Sequence, residues 1–204
     1  MCEDNKLQAL FTASTRLTEV DLFSSHFLNG SCLLYAGLSR LRLLTLTNTA
    51  VTDLILSRIL ETSKEITELH LVGTCISDKC LPHILGLKKL EYISVPPENV
   101  DGFSRSSALA LVENCRTLRT LDCQEGYFFD RAEVSRIVES NPLLTGLVIP
   151  YAFIDNRTLT FIVESLRKLA YICVCETGVT QDCVRRLKSR NPSLEICYNV
   201  NHTP

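Results

Sequence analysis

The sequence predicts an α/β solenoid, in which short parallel strands and helices alternate along the chain. Two observations lead to this prediction. The pattern L-x-x-L-x-L, with aliphatic residues or cysteine at its fixed positions, recurs eight times in the 204 residues, the last time in degenerate form. Each unit is then followed by residues with helical spacing, and most of the helix starts carry side-chain oxygens that favour a helix N-terminus.

The strands are predicted by the alternation in x-L-x-L, which sends the leucines to one face and the intervening residues to the other. The units begin at Leu17, Leu41, Ile66, Leu90, Leu118, Leu144, Leu169 and Leu194. Their mean spacing of about 25 residues lies within the range of leucine-rich repeats. One unit cannot bury its apolar face alone. We therefore expect a horseshoe-shaped leucine-rich-repeat solenoid of about eight repeats, with a parallel sheet on the concave side and helices on the convex side.

The helices are predicted in the second half of each unit. Leu54, Ile55, Ile59 and Leu60 show the helical spacing. The predicted helix starts lie at Thr52-Asp53, Ser77-Asp78, Phe129-Asp130, Ile154-Asp155 and Thr180-Gln181-Asp182. The side chains at these starts can accept hydrogen bonds from the free amides of the first turn.

The units predict a single domain, 1–204. Residues 1–16 form an N-terminal cap, in which a short helix from Lys6 to Ala13 would shield the first strand. Residues 17–193 form seven repeats of about 25 residues, and 194–204 form a closing strand and tail. The longest step, 28 residues, contains Pro96 and Pro97 and predicts a bulge on one rim.

Composition argues against several classes of partner. Lys and Arg number 21 and Asp and Glu 23, which gives a net charge of -2 and disfavours nucleic acid and anionic membranes. The N-terminus is polar and no apolar run reaches the length of a membrane span, so we expect a cytoplasmic or nuclear protein. The ten cysteines form no C-x-x-C pair, and we expect them to be reduced and mostly buried.

Two stretches resemble a known family. They are Cys115-x-x-Leu118-x-x-Leu121-x-Cys123 and Leu69-x-Leu71-x-Gly73-Thr74-x-Ile76-Ser77-Asp78-x-Cys80-Leu81. This pattern is similar to the cysteine-containing leucine-rich repeats of F-box proteins and of antagonist-of-mitotic-exit proteins. The resemblance implies either a stand-alone repeat module or a substrate-recognition subunit of a cullin-type ubiquitin ligase. About 16 residues precede Leu17, fewer than an F-box needs, so the stand-alone module is the favoured interpretation.

The motif also predicts which side chains line the concave side. Of 21 such positions in the first seven units, four are acidic and none is Lys or Arg. We expect a partner protein, with a basic and apolar segment, to bind there to an otherwise monomeric module. The candidate partner-binding residues are Glu19, Asp21, Glu68, His70, Tyr92, Asp122, Val148 and Tyr171. There are two alternatives. In one the concave side is only solvated, and in the other the partner binds at a rim or on the convex helices.

Other site chemistries have weaker support. Basic residues gather before the strands, at Arg40, Arg42, Lys88, Lys89, Arg116, Arg119, Arg167 and Lys168, which would align them along one rim. His70 would be a base without an activated nucleophile, so no enzyme activity is expected. Cys173 and Cys175 should point the same way, but two thiols do not make a zinc site. No cofactor or metal is expected.

Overall fold

The computed structural model describes residues 4–97, 102–123 and 129–198. Within these residues eight parallel strands form one sheet, ordered along the sequence from first to last. The strands are β1 (Glu19–Asp21), β2 (Leu43–Thr45), β3 (Glu68–His70), β4 (Tyr92–Ser94), β5 (Thr120–Asp122), β6 (Gly146–Val148), β7 (Tyr171–Cys173) and β8 (Glu195–Cys197). The α/β leucine-rich-repeat solenoid predicted from the sequence is therefore confirmed.

The middle residue of each strand faces the core. These residues are Val20, Leu44, Leu69, Ile93, Leu121, Leu147, Ile172 and Ile196, all buried. They lie side by side because neighbouring strands pair in register. Successive residues of a strand point to opposite faces, so the two residues that flank each middle position lie on the other face of the sheet.

Seven α-helices alternate with the strands. They are α1 (Asp4–Ala13), α2 (Asp53–Thr62), α3 (Leu81–Leu85), α4 (Arg105–Asn114), α5 (Arg131–Ser140), α6 (Asn156–Ser165) and α7 (Gln181–Arg190), with short 3-10 helices at Ser31–Tyr35 and Asp78–Cys80. In α2 the buried face consists of Leu56, Ile59 and Leu60. The four residues that showed helical spacing, Leu54, Ile55, Ile59 and Leu60, all lie in this helix; Leu54 is on its outer face and is 64% exposed.

Three predicted helix starts are capped as expected. Side-chain oxygens of Asp130, Asp155 and Thr180 accept hydrogen bonds from the amide three residues later, at 2.8, 2.9 and 3.4 Å. Ser104 caps α4 in the same way at 3.2 Å, a start that the sequence analysis did not identify. Thr52 makes no side-chain cap.

Other carboxylates at helix starts reach across to the next repeat. Asp53 accepts hydrogen bonds from the amide of Ser77 at 2.7 Å and from its hydroxyl at 2.6 Å. Asp78 accepts one from the amide of Ser104 at 2.7 Å. Burial alone would raise the pKa of Asp53, but the hydrogen bonds from Ser77 outweigh burial and lower it. These bonds join consecutive repeats at their helix N-termini.

The first repeat is completed by the N-terminal helix. Asp4 of α1 is buried, and its carboxylate accepts hydrogen bonds from the amides of Asn29 at 2.9 Å and Cys32 at 3.3 Å. Cys32 belongs to the 3-10 helix Ser31–Tyr35, which occupies the helical position of that repeat. The main contacts of α1 are with this 3-10 helix. Shielding of β1 by the N-terminal cap stays a prediction.

Three of the turns that follow the strands carry a threonine. The hydroxyls of Thr49, Thr74 and Thr177 each donate to the carbonyl of the residue just after the strand, at 2.7 Å. The predicted bulge falls largely on residues 98–101, and residues 199–204 of the predicted tail also lie outside the described part of the chain. Among the described helices, none has the length and apolarity needed to cross a membrane.

Candidate protein-binding surface

Two rows of side chains run across the strands on the concave side of the sheet. The first row is Glu19, Leu43, Glu68, Tyr92, Thr120, Gly146, Tyr171 and Glu195. The second row is Asp21, Thr45, His70, Ser94, Asp122, Val148, Cys173 and Cys197. We call these sixteen positions the concave face; it contains all eight candidate residues named from the sequence.

An acidic group lies at the β1 to β3 end of the concave face. Glu19, Asp21 and Glu68 are all exposed. The carboxylate of Asp21 also accepts a hydrogen bond from the amide of Phe23 at 2.8 Å, which holds it at the end of β1. These three carboxylates are available to a positively charged ligand.

The middle of the concave face is a connected aromatic and polar cluster. The Tyr92 hydroxyl donates to Asp122 Oδ2 at 3.0 Å, and the ring of Tyr92 lies 4.5 Å from that of His70, tilted by 31°. Burial raises the pKa of Tyr92, and the Asp122 carboxylate raises it further. Burial lowers the pKa of His70, although Glu68, Asp122 and Asp21 oppose that shift. The imidazole is therefore neutral at pH 7.

Asp122 occupies the predicted face but is not a surface carboxylate. Its side chain is buried, with 5% of the residue exposed. Tyr92 covers it from the neighbouring strand. Asp122 therefore adds negative potential and orients Tyr92. Direct contact with a large cation is open only to the exposed carboxylates of the face, such as Glu19, Asp21 and Glu68.

The β6 to β8 end is more apolar. Val148 and Tyr171 are half-buried. Gly146, which lies next to Tyr171 in the first row, is buried and has no side chain, so the surface is shallow at this point. A Cβ at Gly146 would lie 2.9 Å from the side chain of Thr120, so a larger residue would crowd this strand. Val148 and Tyr171 together offer a shallow apolar contact surface.

Two concave positions were not written out from the sequence. Register places Glu195 beside Tyr171 and Cys197 beside Cys173. The unit at Leu194 departs from the column rule. In the first seven units the two face positions lie two and four residues after the first leucine-like residue, but here they lie one and three residues after Leu194, so the rule would have selected Ile196 and Tyr198. Glu195 is exposed and is the fifth acidic residue on the concave face; none of the sixteen positions is Lys or Arg.

The basic residues that precede the strands are partly engaged with the protein itself. Lys89 forms an ion pair with Glu65 at 2.6 Å. Arg116 donates to the carbonyl of Ser140 at 2.7 Å, and Lys88 to that of Leu85 at 2.9 Å. These contacts reduce the positive charge that the rim presents to a polyanion.

His70 lies in the same row as the hydroxyls of Thr45 and Ser94. Ser94 is buried, and its hydroxyl accepts a hydrogen bond from the amide of Leu71 at 3.3 Å. A hydroxyl engaged in this way supports the sheet and is not positioned as a nucleophile beside a base.

Comparisons with known proteins show the fold. No protein-family model matches the chain, and no curated protein does. An internalin from Listeria monocytogenes is similar with a TM-score of 0.55 and 13% identity, over 98% of this chain and 52% of that one. A chain of the yeast Rad7–Elc1 complex is similar with a TM-score of 0.58 and 18% identity, over 81% of this chain and 42% of that one.

This chain therefore spans about half the length of the solved structures that it resembles. A leucine-rich-repeat protein from Leptospira interrogans also matches, with a TM-score of 0.48 and 15% identity, over 78% of this chain and 43% of that one. The parallel sheet with its repeat of about 25 residues, together with the likeness to the first two structures, gives the described residues the architecture of a leucine-rich-repeat solenoid.

Proposed function

We propose that this protein is a non-enzymatic interaction module that binds a partner protein on its concave face, as an adaptor, receptor or inhibitor. The observation that carries the proposal is the charge distribution on that face. Exposed carboxylates gather at the β1 to β3 end and none of the sixteen positions is Lys or Arg. Complementary charge steers association and selects partners.

The two ends of the concave face suggest the chemistry of the partner segment. A basic part would lie over Glu19, Asp21 and Glu68, and an apolar part over Val148 and Tyr171. Neighbouring strands are about 4.8 Å apart, so β1 and β7 are separated by about 29 Å. An extended segment of about nine residues covers that distance. The Rad7–Elc1 complex supports the class of function, because there a structurally similar protein has a protein partner.

The test is affinity capture from cell extract followed by mass spectrometry. Glu19→Gln, Asp21→Asn and Glu68→Gln together remove three concave charges without changing side-chain size. The matched control is Glu61→Gln, Glu139→Gln and Glu164→Gln, which removes three exposed charges from the helices. We expect a partner that the control retains and the concave variant loses. A partner held equally by both variants would contradict the proposal.

Asp122 is left unchanged in this design because its carboxylate bonds Tyr92, and its loss would disturb the surface. Recovery of cullin-adaptor subunits would favour the second function, a substrate-recognition subunit of a ubiquitin ligase. The same two variants then separate substrate binding on the concave face from binding to the ligase.

A further inference from the structure

Three thiols meet at the β7 to β8 end of the concave face. Cys173 and Cys175 have their sulfur atoms 3.5 Å apart, and the sulfur of Cys197 lies 3.4 Å from that of Cys175. All three sulfur atoms lie within 4.8 Å of one another. The sequence analysis recognised the first two thiols and expected no metal site because a third ligand was missing. The register of β8 supplies that third thiol.

The backbone holds the three cysteines in place. Cys173 and Cys197 end the neighbouring strands β7 and β8 and are register partners, while Cys175 lies in the turn after β7. The carbonyls of all three cysteines accept hydrogen bonds from neighbouring backbone amides, at 2.9 to 3.0 Å. Ligands on strands are positioned more precisely than ligands on loops, which applies to Cys173 and Cys197.

The sulfur spacing fits a metal ion. A zinc–thiolate bond is about 2.3 Å long, so two sulfurs of a tetrahedral site are about 3.8 Å apart, and two of a trigonal site about 4.0 Å. Two of the three separations, 3.5 and 3.4 Å, need to open by only a few tenths of an ångström to reach the tetrahedral value, and the third, between Cys173 and Cys197, is at most 4.8 Å. Thiolate ligands select soft ions such as Zn²⁺ and Cu(I).

We propose that Cys173, Cys175 and Cys197 form a binding site for a thiophilic metal ion, of the Zn²⁺ or Cu(I) type. Cys173 and Cys175 are half-buried and Cys197 is exposed, so the site opens toward the concave side. Three protein ligands leave a fourth position that water completes in a tetrahedral ion. The proposal of this site does not rest on the proposed protein partner, although Tyr171 belongs to both surfaces.

Tyr171 is placed to support the site. It lies two residues before Cys173 in β7, and its side chain shares the concave face with Cys173 and Cys197. A tyrosine hydroxyl carries its proton at pH 7 and can donate to a metal-bound sulfur. Donors of this kind orient the ligands, and their loss weakens metal binding about 10- to 100-fold.

Proton release provides a readout that a non-specific surface contact would not give. Metal ions bind cysteine as the thiolate, and an ordinary cysteine thiol carries its proton at pH 7. Metal binding must displace the thiol protons, so the affinity should rise with pH.

The test is titration of the reduced, purified full chain with Co²⁺ as a spectroscopic probe, followed by displacement with Zn²⁺ and, in a separate arm, titration with Cu(I). We expect one equivalent of ion, a sulfur-to-metal charge-transfer band and proton release. Cys197→Ser should weaken binding by at least about 100-fold, since a ligand should matter no less than its supporting donor. Tyr171→Phe should weaken it about 10- to 100-fold.

The matched control is Cys75→Ser, which removes an exposed thiol outside the cluster and should leave binding unchanged. Saturable binding of either Zn²⁺ or Cu(I) that depends on Cys197 supports the site. The proposal is overturned if Co²⁺ gives no sulfur-to-metal charge-transfer band and neither Zn²⁺ nor Cu(I) binds saturably, or if the Cys197→Ser and Cys75→Ser variants both bind like the unmodified protein. Circular dichroism of each variant would show that the fold is retained.

Discussion

Asp53 joins the second repeat to the third, and its replacement by alanine should destabilise the solenoid. Its carboxylate accepts two hydrogen bonds from Ser77, at 2.7 and 2.6 Å, and one from the thiol of Cys80 at 3.1 Å. Hydrogen bonds to a charged group contribute about 1.5–3 kcal/mol each when buried. Asp53 is partly exposed, so we expect Asp53→Ala to lower the free energy of unfolding by about 2–4 kcal/mol in total.

The assay is urea denaturation followed by circular dichroism. The control is Asp182→Ala, which also removes a carboxylate from the first turn of a helix. That carboxylate is 93% exposed and pairs with Arg185 at 3.6 Å, so its loss should cost less than about 1 kcal/mol. If Asp53→Ala lowered the free energy of unfolding no more than Asp182→Ala does, the carboxylate of Asp53 would not stabilise the junction of the second and third repeats.

The pH dependence of Asp53→Asn provides a second check. The pKa of Asp53 lies below its ordinary value of 3.8, so its stabilising contribution is present above pH 3.8 and is lost as the pH falls through the folded-state pKa. The stability difference between the unmodified protein and Asp53→Asn should therefore shrink in acid. A difference that stayed constant from pH 6 down to about pH 3 would refute the charge-based explanation.

Three further predictions concern the concave face and the turns. Tyr92→Phe should lower the free energy of unfolding by about 1–3 kcal/mol, because Asp122 loses a hydrogen-bond donor. Denaturation of Asp122→Asn and of the double variant would give the interaction energy between the two side chains. The pKa of His70 is lowered from 6.5, so the free energy of unfolding should fall as the pH drops below 6.5 and passes through the pKa of His70 in the folded protein. His70→Gln should show a smaller decline between pH 7 and about pH 5. Gly73→Ala should cost about 1–3 kcal/mol by denaturation, because Gly73 has φ +70° and the added Cβ would meet the side-chain oxygen of Asn48; a neutral result would contradict the turn geometry.

The strands were predictable because each repeat contains the same alternation of apolar and outward-facing residues. A leucine-like residue between two outward-facing positions has one way to be buried in a sheet, as at Leu44 and Leu147. The regular spacing then fixes the register, and the register fixes the two rows of the concave face. All eight candidate residues fell on that face for this reason.

Contacts between repeats were not predictable in the same way. Asp53 follows a predicted cap residue, but its carboxylate bonds the next repeat and not its own helix. Asp122 has the sequence position of an exposed acid, yet Tyr92 of the preceding repeat covers it. Both outcomes depend on how neighbouring repeats are stacked, which a single unit does not encode.

The thiol cluster was missed for a related reason. The sequence shows Cys173 and Cys175 as a pair two residues apart, but Cys197 lies 22 residues after Cys175 in a unit whose pattern is degenerate. Counted from Leu194, the column rule would have placed Ile196 and Tyr198 on the concave face, because this unit is one residue shorter before its strand; the pairing of Cys197 with Cys173 is visible only in the register of β8. The sulfur distances themselves depend on side-chain rotamers, which the repeat pattern does not specify.

The most direct test of the concave-face account is the dissociation constant of a captured partner, measured at low and at physiological salt. Loss of the three charges of Glu19, Asp21 and Glu68 should cost about 1–2 kcal/mol in total, or a 5- to 30-fold weaker complex, with most of the effect at low salt. The helix control, with Glu61, Glu139 and Glu164 replaced by Gln, should change the dissociation constant less than about twofold. Equal constants for both variants, at both salt concentrations, would contradict the account.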